Sequence, residues 1–425
     1  MTALFGPPRL PLDKRIEVAG FCFAVLVISY CDRVNLATAA PAIMNQYHWG
    51  TVPMGWILSA FFLGYTCCLI PAGFLVQRYG ARLVLVVGVA SWSLVTVLTP
   101  LPTSIAGLYC MRLLLGVCES GTFPAINALL VEWFPPSEYA RAAGICWSGG
   151  YAGPILAFPL AGIILQALGW KAVFYAFGAM GAALLMTGVY IDGRVRSGQG
   201  PGPGKYFRQP AAKIAWKRLL ASPAVWGLLI LHFSSNWFAY VLLSWLPVYL
   251  QQERHFSVTS TAFGAAIPFL AAFGGTSIFA VLIDKFSRHH SRTAARKIFL
   301  VFYLLGGIAL LALPLARDAI SIVGTLSISS FLMTAATPIY ASGSLDLVPG
   351  LAAVLVGIQA SFANLAGVLA PVVSGYLMKM YSWNAVFALT AGIGFVGAAA
   401  YLLFGRAEVL PFFESMTGSE IGGYR

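Results

Sequence analysis

Two charged residues lie inside an apolar stretch of the chain that is long enough to cross a membrane. Residues 105–133 are mostly apolar, yet they include Arg112 and Glu119. A charge at the centre of a membrane helix costs about 2.5–3.5 kcal/mol on insertion scales, so such residues usually face a protein-lined cavity and have a partner. Their spacing of seven residues places both on one helix face. This stretch predicts a charged site inside the membrane.

The first apolar run, residues 16–41, carries candidate partners of both signs: Tyr30, Asp32, Arg33 and Asn35. If this run and residues 105–133 cross in opposite directions, a rise of about 1.5 Å per residue brings Asp32 to the level of Arg112. Arg33 then lies between Arg112 and Glu119. We predict that Asp32 neutralises Arg112 and that Arg33 can exchange one anionic partner for another. The alternative is a fixed set of charges that only holds the helices together.

The composition is that of an integral membrane protein. Hydrophobic residues make up 59% of the chain and charged residues 9%, against about 25% charged in soluble domains. The first apolar run is too long, and too polar near its end, for a signal peptide. No nucleophile with a base and no set of metal ligands is recognisable, which argues against an enzyme. Twelve predicted spans follow from apolar windows at 16–41, 52–76, 83–101, 105–133, 139–168, 172–191, 222–250, 258–283, 298–316, 319–345, 350–378 and 384–404.

The net charge of +12 is better explained by membrane topology than by nucleic-acid binding. If successive spans cross the membrane in opposite directions, 20 of the 26 lysines and arginines lie on the same side as both termini. Arg33 and Arg112 lie within the membrane, and the four on the opposite side are Lys171, Arg254, Arg317 and Lys379. Because lysine and arginine accumulate on the cytoplasmic side, both termini are predicted to be cytoplasmic.

Cysteine and histidine give no sign of a disulfide, a metal or a cofactor. All seven cysteines lie in apolar spans, where they are interpreted as small core residues. His289 and His290 lie in a basic loop without cysteines or carboxylates at ligand spacing. We therefore predict that the protein uses no cofactor.

The chain contains an internal repeat. Gly162 and residues 170–174 recur as Gly375 and residues 383–387 at a constant offset of 213. Parallel repeats with a binding site near the midplane between them are typical of transporters. The predicted units are a first six-helix bundle, a basic linker, a second six-helix bundle and a cytoplasmic tail, at residues 1–191, 192–221, 222–406 and 407–425.

The basic linker has a membrane-facing end. Residues 213–220 combine basic and apolar residues in a way that suits a short helix on anionic lipid. An unstructured, solvated segment is the alternative.

The second half has no clear acidic or basic residue at mid-membrane depth, so it can offer only neutral groups to a ligand. Asn236 and Tyr240 are four residues apart and share a helix face. His232, nearer the cytoplasmic end, is interpreted as structural. In the first half, Tyr65 lies near the level of Glu119 and is predicted to contact the ligand. The other neutral candidates are Ser342, Ser344, Gln359 and Asn364.

These patterns resemble the major facilitator superfamily and, within it, the anion:cation symporter family of organic-anion transporters. The resemblance covers nearly the whole chain. It rests on Tyr30-x-Asp32-Arg33-x-Asn35-Leu36, on Arg112 to Glu119 with Pro124, on Trp245-Leu-Pro247-x-Tyr249, and on Asn364 before Pro371 and Gly375. It implies an all-α polytopic fold of 12 transmembrane helices in two pseudo-symmetric six-helix bundles.

The resemblance also implies roles for individual residues. Arg33 would hold a substrate carboxylate, with Tyr65 and Asn364 binding the same molecule. Asp32 and Glu119 would be the protonatable pair. The remaining predicted substrate-binding residues, from depth and residue type, are Tyr30, Asn236, Tyr240 and Ser342.

The sequence departs from the family pattern at the predicted cytoplasmic gating loops. Gln77 occupies a position where the family has Asp, and Ala280 a position where Gly is usual. The gating residues are predicted to be Gln77, Arg78, Arg82 and Asp284. Small residues at 341–344 suit a wider or less polar anion, including an aromatic one.

The leading hypothesis is proton-coupled uptake of a small organic carboxylate, either a sugar acid or another carboxylate, by rocking of the two halves around one site. When the substrate takes Arg33, Glu119 loses its countercharge and binds a proton, so that both are carried together. Exchange or efflux of an organic anion at the same site is the alternative, followed by a membrane sensor that transports nothing. We expect the protein to be a monomer and to reside in a bacterial inner membrane.

Overall fold

The computed structural model describes residues 12–196 and 216–411. Most of the predicted linker, residues 197–215, and most of the predicted tail, residues 412–425, lie outside the described residues. Within the described part, eleven helical spans are long and apolar enough to cross a membrane. The first helix, which carries Asp32 and Arg33, adds a twelfth. In lipid only helices or closed barrels satisfy every backbone group internally, and these apolar spans form helices throughout.

The first half of the chain forms seven helices. They are α1 (Leu12–Tyr47), α2 (Thr51–Tyr79), α3 (Ala81–Leu98), α4 (Ile105–Glu119), α5 (Thr122–Trp133), α6 (Pro136–Leu168) and α7 (Trp170–Arg196). Gly80 and Gly169, at φ 88° and 81°, separate α2 from α3 and α6 from α7. Glycine adopts this left-handed backbone without the cost that a Cβ would impose.

The second half begins with the short helix α8 (Trp216–Ala221) and repeats the arrangement. Its long helices are α9 (Pro223–Val248), α10 (Val258–Phe286), α11 (Arg292–Leu311), α12 (Ala319–Met333), α13 (Thr337–Leu347), α14 (Ala352–Met380) and α15 (Trp383–Phe404). A π-helical turn (Tyr249–Glu253) extends α9, and 3₁₀ turns lie at Leu313–Leu315, Thr334–Ala336 and Pro349–Leu351.

One predicted span in each half is broken near the middle of the membrane. Pro124 has no N–H to donate to the carbonyl of Ser120, and α4 accordingly ends at Glu119 before α5 begins. Pro338, 214 residues later (338 − 124), follows the 3₁₀ turn that separates α12 from α13. The first break puts Glu119 at a helix end, next to the space between the halves.

The two halves meet along α2 against α14 and along α6 against α10. We call the face that carries the described chain ends the terminal face and the other the distal face. At the distal face, Thr51 Oγ1 donates to the Gly375 carbonyl at 2.8 Å, and Thr259 Oγ1 donates to Gln166 Oε1 at 2.5 Å.

Near the terminal face, the ion pairs between described side chains stay within one half: Arg15–Glu138, Arg82–Glu132, Arg292–Asp346 and Arg296–Asp346. Hydrogen bonds thus join the halves at the distal face.

Candidate substrate site

A cavity of about 540 Å³ lies between the two halves. Its wall combines apolar and aromatic side chains with polar groups, the usual composition of a small-molecule site. The polar and ionisable residues that line it are Ser29, Tyr30, Arg33, Tyr65, Thr122 and Tyr151 from the first half, and His232, Ser235, Asn236, Tyr240, Ser330, Thr334, Thr337, Tyr340, Gln359 and Asn364 from the second. Among the described lining residues, Arg33 is the only one with a permanent charge.

Arg33 forms an ion pair with Glu119 at the edge of this cavity. Its Nε and Nη2 atoms both lie 3.4 Å from Glu119 Oε2. Ser29 Oγ donates to the same oxygen at 2.7 Å. Glu119 is fully buried behind the wall, whereas Arg33 lines the cavity itself. A molecule in the cavity can therefore reach Arg33 without first displacing Glu119.

Three aromatic rings surround the guanidinium group of Arg33. The centroids of Tyr30, Phe61 and Tyr65 lie 4.5, 4.8 and 4.9 Å from Cζ. Rings at this distance attract a cation through their negative faces. They also displace water from around the guanidinium, which strengthens its attraction to an anion. Two of the predicted binding residues, Tyr30 and Tyr65, thus lie beside Arg33.

The predicted ion pair between Asp32 and Arg112 is absent, and this prediction was wrong. Arg112 Nη1 instead donates to the main-chain carbonyl of Asp32 at 3.1 Å and to Asn35 Oδ1 at 3.3 Å. The carboxylate of Asp32 accepts from Asn35 Nδ2 at 3.3 Å through Oδ1. Its other oxygen is buried with no hydrogen-bond partner among the described residues. Asn35 therefore separates the two charges.

The second half places Tyr240 and Asn364 in direct contact at the cavity wall. Tyr240 Oη donates to Asn364 Oδ1 at 2.8 Å, and Asn364 Nδ2 donates to the Ala360 carbonyl at 2.8 Å. Asn236 lines the same cavity one helical turn from Tyr240. These three predicted residues are brought together on one wall.

Ser342 does not line the cavity, so its prediction as a binding residue was wrong. Its hydroxyl accepts from Arg296 Nη2 at 2.6 Å and donates to the Pro338 carbonyl at 2.8 Å. Arg296 in turn pairs with Asp346. The break between α12 and α13 sets the direction of each side chain on α13, and it turns Tyr340 and Ala341 to the cavity instead.

The predicted gating residues lie at the terminal ends of α2, α3 and α10. Gln77 is exposed in the last turns of α2. Arg82 pairs with Glu132 at 3.6 Å, and Asp284 pairs with Arg288 on its own helix at 3.5 Å. Arg78 lies over the ring of Tyr79. Their role in gating stays a prediction.

Several cavity residues were not among the predicted binding residues. His232, interpreted as structural from the sequence, lines the cavity, as do Tyr151 and Tyr340. Tyr151 Oη and Thr276 Oγ1 lie 2.9 Å apart and join the two halves. Counting depth for every polar residue of the fifth and tenth spans could have found Tyr151 and Tyr340, whereas depth led to the wrong interpretation of His232. No group of three or more metal-ligating side chains occurs among the described residues.

Comparison with known proteins agrees with this arrangement. Residues 22–357 match the sequence profile of the Major Facilitator Superfamily. The chain belongs to the Major Facilitator Superfamily. It is 30% identical over 412 residues to the probable anion transporter 4 of the chloroplast in Oryza sativa subsp. japonica, covering 93% of this chain and 69% of that protein. It is 29% identical over 420 residues to the chloroplast ascorbate transporter of Arabidopsis thaliana, covering 93% and 75%.

The fold is also similar to that of a solved structure. A bacterial homolog to the human lysosomal transporter Spinster, solved in an inward-facing and occupied conformation, superposes with a TM-score of 0.77 at 18% identity, covering 95% of this chain and 98% of that one. The predicted all-α, twelve-helix superfamily fold in two six-helix bundles is thereby confirmed, and the protein is a multi-pass integral membrane protein. The predicted unit boundaries stay a prediction.

Proposed function

We propose that this protein is a secondary active transporter that carries a small organic carboxylate together with protons. The observation that carries the proposal is the Arg33–Glu119 ion pair at the wall of a cavity that both halves line. Superfamily membership and the anion and ascorbate transporters among its relatives support an anionic substrate.

Arg33 is suited to exchange partners. Its contacts with Glu119 measure 3.4 Å, longer than the roughly 2.7–2.9 Å of a tight charge-assisted hydrogen bond. A substrate carboxylate can accept two parallel bonds from the guanidinium and so competes well with this loose contact. Glu119 would then be a buried carboxylate that has lost its ion-pair partner. Taking up a proton removes that unfavourable charge, so substrate and proton bind together.

A single permanent cation in the wall favours a substrate with one negative charge. The lining supplies no second Lys or Arg among the described residues to balance a dianion. The neutral groups Asn236, Tyr240 and Asn364 would then bind uncharged parts of the molecule.

The orientation of the protein in the membrane follows from the charge distribution. We place the terminal face in the cytoplasm, because most lysines and arginines lie on that side. We propose that the membrane is a bacterial inner membrane. The hydrogen bonds between the halves at the distal face support an inward-facing state. Release of the distal contacts between α2 and α14 and between α6 and α10, with closure of the terminal ends, would expose the same site to the outside.

The test is proton movement driven by carboxylates in proteoliposomes that contain a pH-sensitive dye. External gluconate, ascorbate, benzoate and phenylacetate are added in turn, and we expect at least one to drive proton influx. In Glu119→Gln, influx should be lost while exchange of the same radiolabelled carboxylate across the membrane persists. Glu253→Gln, at an exposed residue of the distal π-helical turn, is the matched control and should behave as wild type.

Two outcomes would contradict the proposal. Wild-type protein that exchanges a carboxylate without any proton movement is an anion exchanger, which is the alternative function for the same site. Proton influx that survives in Glu119→Gln removes Glu119 from the coupling.

A further inference from the structure

A hydrogen-bond network fixes the tautomer of His232, in the part of the cavity wall that the second half of the chain forms. His232 Nδ1 lies 3.0 Å from Gln359 Nε2. The same Gln359 nitrogen donates to the Tyr340 carbonyl at 2.9 Å, and Gln359 Oε1 accepts from Ser344 Oγ at 2.6 Å. The imidazole ring of His232 stacks on the Tyr340 ring at 4.0 Å, with an angle of 11° between the planes.

The geometry determines which nitrogen of His232 carries the proton. A main-chain carbonyl can only accept, so the Gln359 atom next to Tyr340 must be the amide nitrogen. Exchanging the amide oxygen and nitrogen would bring two carbonyl oxygens to 2.9 Å. Because that nitrogen donates to His232 as well, Nδ1 must be the unprotonated acceptor. The proton of the neutral ring therefore resides on Nε2.

The Nε2–H group is the polar edge of His232 that remains for a ligand. His232 lines the cavity, its Nδ1 is held by Gln359, and one ring face is covered by Tyr340. We infer that His232 is a fixed, uncharged hydrogen-bond donor that recognises a neutral acceptor on the substrate, such as a carbonyl or ether oxygen. This inference rests on the proposed carboxylate site. It describes the end of the substrate that is remote from the carboxylate.

The position of His232 bears on the length of the substrate. It lies eight residues before Tyr240 on α9, or about 12 Å along the helix axis. Tyr240 belongs to the wall that carries Asn364. A molecule that contacts both this region and His232 must be longer than a three- or four-carbon acid.

The rest of the cavity wall suits a flat apolar body. Aromatic rings line it from both halves, with Phe123 and Trp147 4.5 Å apart and Phe238 and Phe269 also part of the lining. Such rings pack well against another ring. The structure thus assigns the substrate to the elongated aromatic monocarboxylates that carry a neutral acceptor at the end remote from the carboxylate.

The test compares two probes of nearly equal shape, 4-acetylphenylacetate and 4-isopropylphenylacetate, which differ in one acceptor oxygen. Dissociation constants are measured by calorimetry on purified wild type and on His232→Phe, a change that keeps a ring against Tyr340. We expect the preference for the acetyl compound to fall about tenfold in His232→Phe, the effect of one hydrogen bond to a buried partner. His289→Phe, in an exposed loop, should leave the preference unchanged.

A preference that is equal in wild type and His232→Phe overturns the donor role. Binding of neither probe to wild type, in a protein that exchanges shorter carboxylates, overturns the assigned substrate class but leaves the proposed transport function standing. If His232→Phe does not fold, Gln359→Leu replaces it, because loss of the amide frees the tautomer and should reduce the same preference.

An independent readout needs no ligand. In wild-type protein labelled with nitrogen-15 histidine, the signal that disappears in His232→Phe should have the shifts of a neutral ring protonated on Nε2 at neutral pH. A signal of the Nδ1–H tautomer, or of a charged ring, would contradict the geometry.

Discussion

The proposed site contains a single guanidinium group in a largely buried, aromatic setting. Arg33 is 8% exposed and lies among Tyr30, Phe61 and Tyr65. Planar stacking of this kind suits a guanidinium, whose charge is delocalised and weakly hydrated. A primary ammonium group in the same place would keep the charge. It would lose both the ring stacking and the paired donors that match a carboxylate.

We therefore expect Arg33→Lys to lower carboxylate affinity by about tenfold or more, since one of two charge-assisted hydrogen bonds is lost. Calorimetric titration with whichever carboxylate drives proton influx measures this change. Arg406→Lys, at an exposed position beyond α15, is the matched control. Unchanged affinity in Arg33→Lys would mean that Arg33 acts only as a charge partner of Glu119.

For single residues, the sequence predicted the depth in the membrane better than the direction of the side chain. Counting residues along two antiparallel spans was sufficient to bring Arg33 near Glu119. The same count put Asp32 level with Arg112, but helix rotation decides which group a guanidinium meets. Arg112 instead donates hydrogen bonds to the main-chain carbonyl of Asp32 and to Asn35. Depth follows from a constant rise per residue, whereas azimuth depends on packing against helices distant in sequence.

At the scale of elements, helix breaks and close helix contacts position the site. The breaks after Glu119 and after Met333 were not predicted, because long apolar runs show no interruption in hydrophobicity. Pro124 and Pro338 were visible in the sequence, yet proline is often tolerated within membrane helices. Ser342 was misplaced for this reason: a break changes the direction of every side chain that follows it.

Glycine permits the contact that holds α2 against α4. A Cβ on Gly116 would lie 2.0 Å from the Phe61 carbonyl oxygen and 2.8 Å from the Tyr65 nitrogen. Both are backbone atoms, so only a shift of a whole helix could relieve the clash. Phe61 and Tyr65 are two of the rings around Arg33. The packing of these two helices thus positions two of the rings around Arg33.

Gly116→Ala is accordingly expected to destabilise the protein by about 1–3 kcal/mol, the usual cost of overpacking, and to weaken carboxylate binding. The apparent midpoint of thermal unfolding in detergent, measured with the dissociation constant, checks both effects. Gly73→Ala on α2, where an added Cβ meets nothing within 4 Å, controls for the substitution itself. A normal midpoint and normal affinity in Gly116→Ala would show that α2 and α4 can separate without consequence.

At the scale of the whole molecule, the two halves are hydrogen-bonded to each other at the distal face and beside the cavity. The described hydrogen bonds between halves run from Thr51 to Gly375, from Thr259 to Gln166, and between Tyr151 and Thr276. Superfamily membership and internal repetition made the twelve-helix arrangement predictable. The conformational state was not predictable, because both states of a rocking transporter satisfy the same hydrophobic pattern.

The distal contact between α2 and α14 provides a way to shift that state. A Cβ on Gly55 would lie 2.7 Å from the Pro371 carbonyl oxygen, across the boundary between the halves. Gly55→Ala should therefore destabilise the state in which the distal face is closed. At about 1–2 kcal/mol, such a change alters the ratio of two conformations by a factor of roughly 5–30.

Distance distributions between spin labels measure this ratio, in a background from which the native cysteines have been removed. Labels at Lys171→Cys and Lys379→Cys report on the distal face, and labels at Arg78→Cys and Lys285→Cys report on the terminal face; all four positions are exposed. In Gly55→Ala we expect longer distal distances and shorter terminal distances to gain population together. Gly357→Ala, on α14 with nothing within 4 Å of an added Cβ, should leave both distributions as in wild type. Unchanged distributions in Gly55→Ala would mean that the contact between α2 and α14 yields without moving the halves, and that the closure of the distal face rests on α6 and α10 instead.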